Sequence, residues 1–262
     1  AEVLGWLMSQ AKTSIAFAGT HGKTTTSSMA SLLFEKAGLK PTYLVGSEIL
    51  ALGTNAEKGN GNFSLAEADE SDGSILFLDP TILVITNIES DHLEHFGTFE
   101  KIIDLFVDCV KKLPKDRGVL ITQGDHWGVK GFLKRLAAEN CLPHKVITYG
   151  LEEGMDLRPA NIRAREQGSK FTVFHQGKQL GEVELSVPGV HNVLNSLAVL
   201  ACGLEAGLTF SQMIMHLKYF NGTKRRFNLV GEVQGVKIFD DYGHHPTEIA
   251  ATLAAARAGF KE

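Results

Sequence analysis

The sequence has 262 residues, of which 44% are hydrophobic and 21% are charged, and its formal net charge is −4. These values are typical of a globular protein, and they argue against disorder and against electrostatic capture of nucleic acid or of a membrane surface. The cysteines, Cys109, Cys141 and Cys202, are widely spaced and form no CxxC pair, which argues against a disulfide framework or a zinc site and favours the cytoplasm. No apolar run approaches the ~20 residues of a membrane span, and we recognise no signal segment.

Short apolar strands alternate with amphipathic helices over the first 150 residues. Strand patterns lie at 14–18, 43–45, 63–66, 82–86, 118–122 and 145–149, and helical patterns at 3–8, 23–37, 99–112 and 127–139. This alternation predicts right-handed βαβ units and therefore an α/β fold, with a P-loop-type, mainly parallel sheet flanked by helices.

The pattern changes in the second part of the chain. From 161 to 187 polar and apolar residues alternate around the turns EQGSK and HQGKQ, which predicts a small antiparallel β meander appended to the sheet. Helical patterns follow at 190–206 and 211–218, and then two strands and a helix at 248–258. We place a domain boundary near 220–227. Since the remainder is too short for a domain and the chain begins with Ala1, we expect a fragment of a longer protein.

A glycine turn follows the first strand, in the stretch AGTHGKTTT. Gly19 and Gly22 allow the backbone to curl around a phosphate, Lys23 supplies a mobile positive charge, and the Thr24 hydroxyl can ligate magnesium. The standard P-loop spacing fails, because it would place a glycine where this chain has Phe17. An ordinary glycine turn capped by threonines is the alternative, but the flanking strand and helix favour a phosphate site.

Acidic residues follow the third strand pattern, in FSLAEADESDGS. Glu67, Asp69, Glu70 and Asp72 lie where α/β proteins bind ligands, and carboxylates suit Mg²⁺. A solvated acidic loop is an equally good interpretation from spacing alone.

The next strand also ends in polar residues, in ILVITNIESDHLEHF. Asn87, Glu89, Asp91 and His92 follow it, and His92 could serve a second metal or a phosphate, although a lone histidine is more often structural. Three strand ends that carry a GKT loop, a carboxylate and a histidine together predict one nucleotide and metal site.

Three further motifs contain polar side chains at helix starts or at the predicted boundary. In PGVHNVLNSLAV, His191, Asn192 and Asn195 could read a base edge, and helix capping is the alternative for the first two. In TKRRF, Arg226 and its basic neighbours could clamp phosphate oxygens, unless they form a solvated linker. In DDYGHHPTE, Asp241 ends a strand before a histidine pair and a helix.

Together these motifs resemble those of the Mur ligase family, in the family's order between Ala18 and Glu248. The family's shorter GTxGKT loop explains the mismatch at Phe17. The resemblance implies three parts for this sequence: residues 1–12 are a linker helix from an N-terminal uridine-nucleotide domain, 13–222 are the central ATP-binding domain, and 223–262 are the incomplete start of a Rossmann-like C-terminal domain.

The resemblance also implies roles for individual residues. Lys23, Glu67, His92 and Arg226 are expected to be catalytic, and Thr24, Glu67 and His92 to bind Mg²⁺. ATP is expected to contact Gly19, Thr20, His21, Gly22, Lys23, Thr24, Thr25, His191, Asn192, Asn195, Arg226 and Asp241. No carbamoylated lysine is expected in this branch of the family, and no role is assigned to Asp69, Glu70, Asp72, His244 or His245.

The implied function is that of an ATP-dependent ligase of peptidoglycan precursor synthesis. The branch with these motifs joins L-alanine to UDP-N-acetylmuramate through an acyl phosphate, with small molecules and neither nucleic acid nor membrane as partners. We expect the chain alone to bind ATP without completing this reaction. A murein tripeptide ligase, a P-loop NTPase that drives conformational change and a non-catalytic nucleotide-binding module remain alternatives, and the oligomeric state is not predicted.

Overall fold

The computed structural model describes residues 1–165 and 167–260. The strands are β1 (Thr13–Ala18), β2 (Thr42–Ile49), β3 (Thr54–Glu57), β4 (Phe63–Glu67), β5 (Ile82–Ile85), β6 (Val119–Gln123), β7 (Lys145–Tyr149), β8 (Leu157–Arg165), β9 (Gly168–His175), β10 (Lys178–Leu185), β11 (Asn228–Val233) and β12 (Val236–Asp240). The α-helices are α1 (Glu2–Ser9), α2 (Lys23–Lys36), α3 (Leu93–Phe96), α4 (Phe99–Lys111), α5 (Trp127–Ala138), α6 (Val190–Glu205), α7 (Phe210–Leu217) and α8 (Pro246–Gly259). A short 3₁₀ helix spans Ser74–Phe77.

Ten strands form one sheet in the order β10-β9-β8-β7-β6-β5-β1-β4-β2-β3. The strands from β8 to β2 in this order pair in parallel, and antiparallel pairs occur at both ends. Strand β1 lies in the middle, between β4 and β5, which come later in the chain. The connections therefore leave β1 at the point where the strand order reverses, and α/β proteins bind ligands at such a point.

The core lies on both faces of the sheet. Along β1, Ile15 and Phe17 join a cluster with α2, α6 and α7, whereas Ala16 and Ala18 join a cluster with α4 and α5 on the opposite face. Successive side chains of a strand point to opposite faces, so both faces need a helical layer and the strand sequence is almost continuously apolar. The α/β class, the mainly parallel sheet and the flanking helices are confirmed.

The predicted meander is also present, and it extends the main sheet. β8 pairs in parallel with β7 through Tyr149 and Leu157, and β9 and β10 then continue the sheet with antiparallel pairing. The predicted turn EQGSK includes Glu166, which lies outside the described residues.

Three short elements were not predicted. β3 has the polar sequence TNAE at the sheet edge, the 3₁₀ helix spans Ser74–Phe77, and α3 is a single turn. Such segments contain too few residues for an apolar period to be visible in the sequence.

The C-terminal residues form a separate two-stranded sheet, β11 with β12, followed by α8. This segment is fixed to the central part by side-chain contacts, including the hydrogen bond from the Thr247 hydroxyl to Glu89 Oε2 at 2.8 Å. The proposed division at 222 and 223 stays a prediction, and Lys261 and Glu262 lie outside the described residues. Within the described chain, no helix has the length and apolar character needed to cross a membrane.

Candidate functional site

The glycine turn after β1 has the geometry of a phosphate-binding loop. Gly19 has φ +116°, and a Cβ there would lie 2.4 Å from the Thr86 hydroxyl. Gly22 is the N-cap of α2 and has φ +83°, and a Cβ there would lie 2.7 Å from Asn195 Oδ1. Both positions therefore require glycine, which brings the backbone amides and the positive end of α2 to one concave surface.

Residues after β5 hold this loop in place. The Asn87 side chain accepts from the His21 amide at 2.8 Å and donates to the His21 carbonyl at 3.0 Å. The Thr20 hydroxyl accepts from the Glu89 amide at 2.8 Å. Since these bonds already fix the conformation of the loop, little loop ordering is required when an anion binds.

The Lys23 side chain is held against the loop by hydrogen bonds, one of which is to a buried carboxylate. Its Nζ donates to the Gly19 carbonyl at 2.7 Å and to Glu70 Oε1 at 2.8 Å. Glu70 is 4% exposed, and burial raises its pKa although Lys23 acts in the opposite direction. The position of Glu70 identifies it as the lysine's partner, a role that could not be assigned from the sequence.

Thr24 and Glu67 form an oxygen pair beside Lys23. The Thr24 hydroxyl donates to Glu67 Oε1 at 2.8 Å, and the Gly46 amide donates to Glu67 Oε2 at 2.7 Å. A hydroxyl and a carboxylate are oxygen donors of the kind that Mg²⁺ prefers, so this pair fits a magnesium ion.

His92 lies on the wall of a cavity of about 450 Å³ that Thr24, Glu67 and Lys23 also line. It precedes α3 with φ +51°, and its ring lies 3.8 Å from Asp91 Oδ2.

Two acidic residues of the same region have local roles: Asp69 accepts from the Ser71 amide and Asp72 from the Ser74 amide. The Ser74 hydrogen bonds lower the pKa of Asp72, which is a turn-forming residue on the surface.

A second cavity, of about 560 Å³, lies on the other side of the loop. Eight of the twelve residues predicted to contact ATP line it, and these are His21, Gly22, Thr25, His191, Asn192, Asn195, Arg226 and Asp241. His21, Gly22 and Arg226 line both cavities. The loop therefore lies between two cavities, and the larger one has room for a molecule the size of a nucleoside.

The helix α6 residues have internal bonds as well as access to the larger cavity. Asn192 donates to the Pro188 carbonyl at 2.7 Å, and Asn195 donates to Asn192 Oδ1 at 3.3 Å. Burial lowers the pKa of His191, while Asp241 opposes this effect. Asn192 therefore does not have the capping role that was the alternative for it, because it donates to a carbonyl and α6 has no side-chain cap hydrogen bond; Asn195 faces the loop at Gly22.

Arg226 at the predicted boundary and His21 in the loop both lie beside Glu248, a carboxylate that the sequence did not single out. Arg226 Nη1 and His21 Nδ1 each lie 3.4 Å from Glu248 Oε1. Burial would raise the pKa of Glu248, but His21 and Arg226 lower it to about 2. Asp241 accepts from the Phe227 and Gly243 amides at 2.8 Å and 2.7 Å.

Two further residues line the larger cavity: Glu89, which the sequence indicated only as a polar residue after the strand, and His126, which it did not single out. Their side chains are 3.3 Å apart between Glu89 Oε1 and His126 Nε2. Burial would raise the pKa of Glu89, but the Thr247 hydroxyl and two neighbouring histidine rings lower it. Burial also lowers the pKa of His126 in spite of Glu89. His126 follows the end of β6, so the strand-end rule applied to a fourth strand would have found it.

Comparison with known protein families gives two matches. The Mur ligase middle domain matches residues 17–203, and the family described as Mur ligase, glutamate ligase domain, matches residues 225–262.

Curated relatives agree with these family matches. The UDP-N-acetylmuramate–L-alanine ligase of Geobacter sp. (strain M21) is 45% identical over 262 residues, and that of Pelobacter propionicus is 46% identical over 263. All of this chain is covered, but only 55% of each relative, so the chain spans about half the length of the curated relatives it matches.

Solved structures are similar over most of the chain. The UDP-N-acetylmuramate-alanine ligase MurC from Thermotoga maritima is 28% identical with a TM-score of 0.83, covering 98% of this chain and 57% of that one. The UDP-N-acetylmuramate:L-alanyl-γ-D-glutamyl-meso-diaminopimelate ligase from Neisseria is 27% identical with a TM-score of 0.72, covering 85% of this chain and 71% of that one. The family that the motifs predicted is confirmed: the chain belongs to the Mur ligase family.

Proposed function

We propose that the intact protein is an ATP-dependent ligase that joins L-alanine to UDP-N-acetylmuramate, and that this chain contains its ATP and Mg²⁺ site. The observation that carries the proposal is the Thr24 to Glu67 hydrogen bond of 2.8 Å at the start of α2, with Lys23 beside it. A phosphate loop, a lysine and an oxygen pair are the parts that phosphoryl transfer requires. The names of the relatives at 43–46% identity support the choice of substrates.

In this proposal Lys23 moves from its stored position to the phosphates. It exchanges the Gly19 carbonyl and Glu70 for phosphate oxygens, while the loop amides and the α2 N-terminus bind the same group. The negative charge that builds up during transfer is thereby neutralised by groups already in place.

Thr24 and Glu67 would hold Mg²⁺, with His92 on the same cavity wall for a second ion or for the acceptor carboxylate. The metal supplies charge neutralisation at the phosphate oxygens. On the other side of the loop, Asn195, His191 and Arg226 would contact the nucleoside.

The proposed reaction has two steps. A muramoyl carboxylate oxygen attacks the γ-phosphorus of ATP, which gives an acyl phosphate and ADP. The amine of L-alanine then attacks the acyl carbon and displaces phosphate. Positioning and charge neutralisation are sufficient for the first step, so no protein nucleophile is needed.

Nucleotide binding is tested by titrating the 262-residue chain with a non-hydrolysable ATP analogue, with and without Mg²⁺. We expect Mg²⁺-dependent binding that falls at least tenfold in Lys23→Ala, which is about 1.4 kcal/mol. Lys134→Ala, on the exposed face of α5, is the matched control and should bind as the unchanged chain does. Binding that is indifferent to Lys23 would contradict the assignment.

The substrate assignment is tested on the full-length protein. UDP-N-acetylmuramate and ATP are offered with either L-alanine or the L-alanyl-γ-D-glutamyl-meso-diaminopimelate tripeptide, and the amide products are identified by mass spectrometry. We expect product with alanine. Product with the tripeptide but not with alanine would identify the protein as a murein tripeptide ligase. Phosphate release without an amide product would indicate a P-loop NTPase.

A further inference from the structure

A cluster of two histidines and a carboxylate lies where the phosphate loop, the β5 end and the C-terminal segment meet. His21 belongs to the loop, Glu89 follows β5, and His245 precedes α8. One ligand atom from each lies within 4.8 Å of the other two. The oxygen pair Thr24 and Glu67 is not part of this cluster.

The distances suit a small tetrahedral ion. His21 Nε2 lies 3.5 Å and His245 Nδ1 lies 3.9 Å from Glu89 Oε2. Zinc bonds of about 2.0–2.2 Å at tetrahedral angles would place ligand atoms roughly 3.3–3.6 Å apart. Glu89 would therefore have to approach the two rings by a few tenths of an ångström to complete the site, and the ligand nitrogens of the two rings would have to approach each other by somewhat more.

His21 presents a ring nitrogen that is available for a metal. Its Nδ1 lies 3.4 Å from Glu248 Oε1, and its Nε2 is buried without a hydrogen-bond partner among the described residues. A carboxylate on one imidazole nitrogen fixes the tautomer that leaves the other nitrogen free to bind a metal. Glu248 thus stands in the position of an outer-shell partner.

Glu89 is held in place by neighbours of its own. The Thr247 hydroxyl donates to Glu89 Oε2 at 2.8 Å, and His126 Nε2 lies 3.3 Å from Oε1. A carboxylate oriented in this way keeps one oxygen directed at His21 and His245. The alternative is an ordinary polar network in which His21 pairs directly with Glu89 and no metal is bound.

We propose that His21, Glu89 and His245 form a Zn²⁺ site that links the phosphate loop to the start of α8. Two imidazoles and one carboxylate with a water molecule are a common zinc ligand set, and nitrogen donors discriminate against Mg²⁺. The cysteine pattern that argues against zinc does not bear on this site, since none of its ligands is a cysteine. A zinc ion here would fix the C-terminal segment beside the larger cavity.

The test is calorimetric titration of the 262-residue chain with Zn²⁺ in excess Mg²⁺. We expect one equivalent to bind, and its affinity to fall about 10- to 100-fold in His245→Asn and in Glu89→Gln. Zinc bound at His245 Nδ1 would replace the 3.3 Å hydrogen bond that this atom accepts from the Thr247 amide. Asparagine is a good N-cap, so His245→Asn retains an acceptor for that amide while it removes the imidazole. His244→Asn is the matched control, because that neighbouring ring is 65% exposed, and it should bind zinc normally.

Two further measurements separate the loss of a zinc ligand from unfolding and from zinc binding at the magnesium site. Circular dichroism checks that each variant is folded. With Co²⁺ in place of Zn²⁺, the unchanged chain should show the visible absorption of a four-coordinate ion, and His245→Asn should not show this absorption. Glu67→Gln should retain zinc binding. Equal affinity of His245→Asn and the unchanged chain would overturn the proposal, as would loss of the zinc equivalent in Glu67→Gln with retention in Glu89→Gln.

Discussion

Gly46 offers a way to displace the candidate magnesium ligand without removing any of its atoms. A Cβ on Gly46 would lie 2.6 Å from Glu67 Oε2 and 2.8 Å from Oε1, and ordinary contact begins near 3.4 Å. The carboxylate of Glu67 in the Gly46→Ala variant must therefore withdraw by roughly 0.8 Å, which stretches the 2.7 Å bond from the residue 46 amide beyond hydrogen-bond range.

The cost of this displacement can be bounded. Hydrogen bonds to charged groups contribute about 1.5–3 kcal/mol, and water in the open cavity restores part of this. A remaining loss of about 1–2 kcal/mol corresponds to Mg²⁺-dependent affinity for ATP that is about 5- to 30-fold weaker. The same lost hydrogen bond bounds the change in global stability, which should be no more than about 1–2 kcal/mol because only the end of a flexible side chain has to move.

The assay is calorimetric titration with an ATP analogue at limiting and saturating Mg²⁺. Gly131→Ala is the control, because nothing lies within 4 Å of a Cβ at that position. If Glu67 carries the effect, Gly46→Ala and Glu67→Gln should be non-additive. Affinity of Gly46→Ala within twofold of the unchanged chain would refute the reasoning.

Three further predictions concern other parts of the chain. Phe132→Ala, at a fully buried core position, should cost about 3–5 kcal/mol and lower the urea midpoint at unchanged m-value. Glu248 has a pKa of about 2 against an ordinary value of 4.5, so its stabilisation is complete above the ordinary value and is lost as the pH falls toward 2. Glu248→Gln should remove about 1–2 kcal/mol of this acid sensitivity, measured by urea unfolding between pH 3 and pH 7, and an unchanged pH profile would contradict its pairing with Arg226. Glu70→Gln should strengthen ATP binding several-fold, because a neutral amide holds Lys23 less firmly in its stored position; weaker binding in the calorimeter would show that Glu70 assists the bound state instead.

Much of the fold follows from local patterns. The apolar runs of β1 and β5 are long enough to show that both sheet faces are covered, and the glycines around Lys23 fix the loop that connects β1 to α2. Elements that are short or polar, such as β3 and α3, were missed because they depend on pairing and packing with distant residues.

The site could be predicted only where function is tied to a strand end or a helix start. Glu67 is the last residue of β4, His92 lies in the segment after β5, and Asn195 is an amide within an apolar helix, so each stands out in the sequence. Glu70 could not be distinguished from its acidic neighbours, because what separates it from Asp72 is burial against Lys23.

The α/β class, the phosphate loop and the family can all be inferred from sequence, because periodicity, glycine geometry and motif order are properties of neighbouring residues. Which charges meet is a property of the folded chain. Glu89 with His126, and Glu248 with His21 and Arg226, are pairs far apart in the chain that come together because parallel strands end at one edge and α8 returns to it. Such pairings of charged side chains depend on the path of the whole chain, so a local sequence pattern does not predict which two residues will pair.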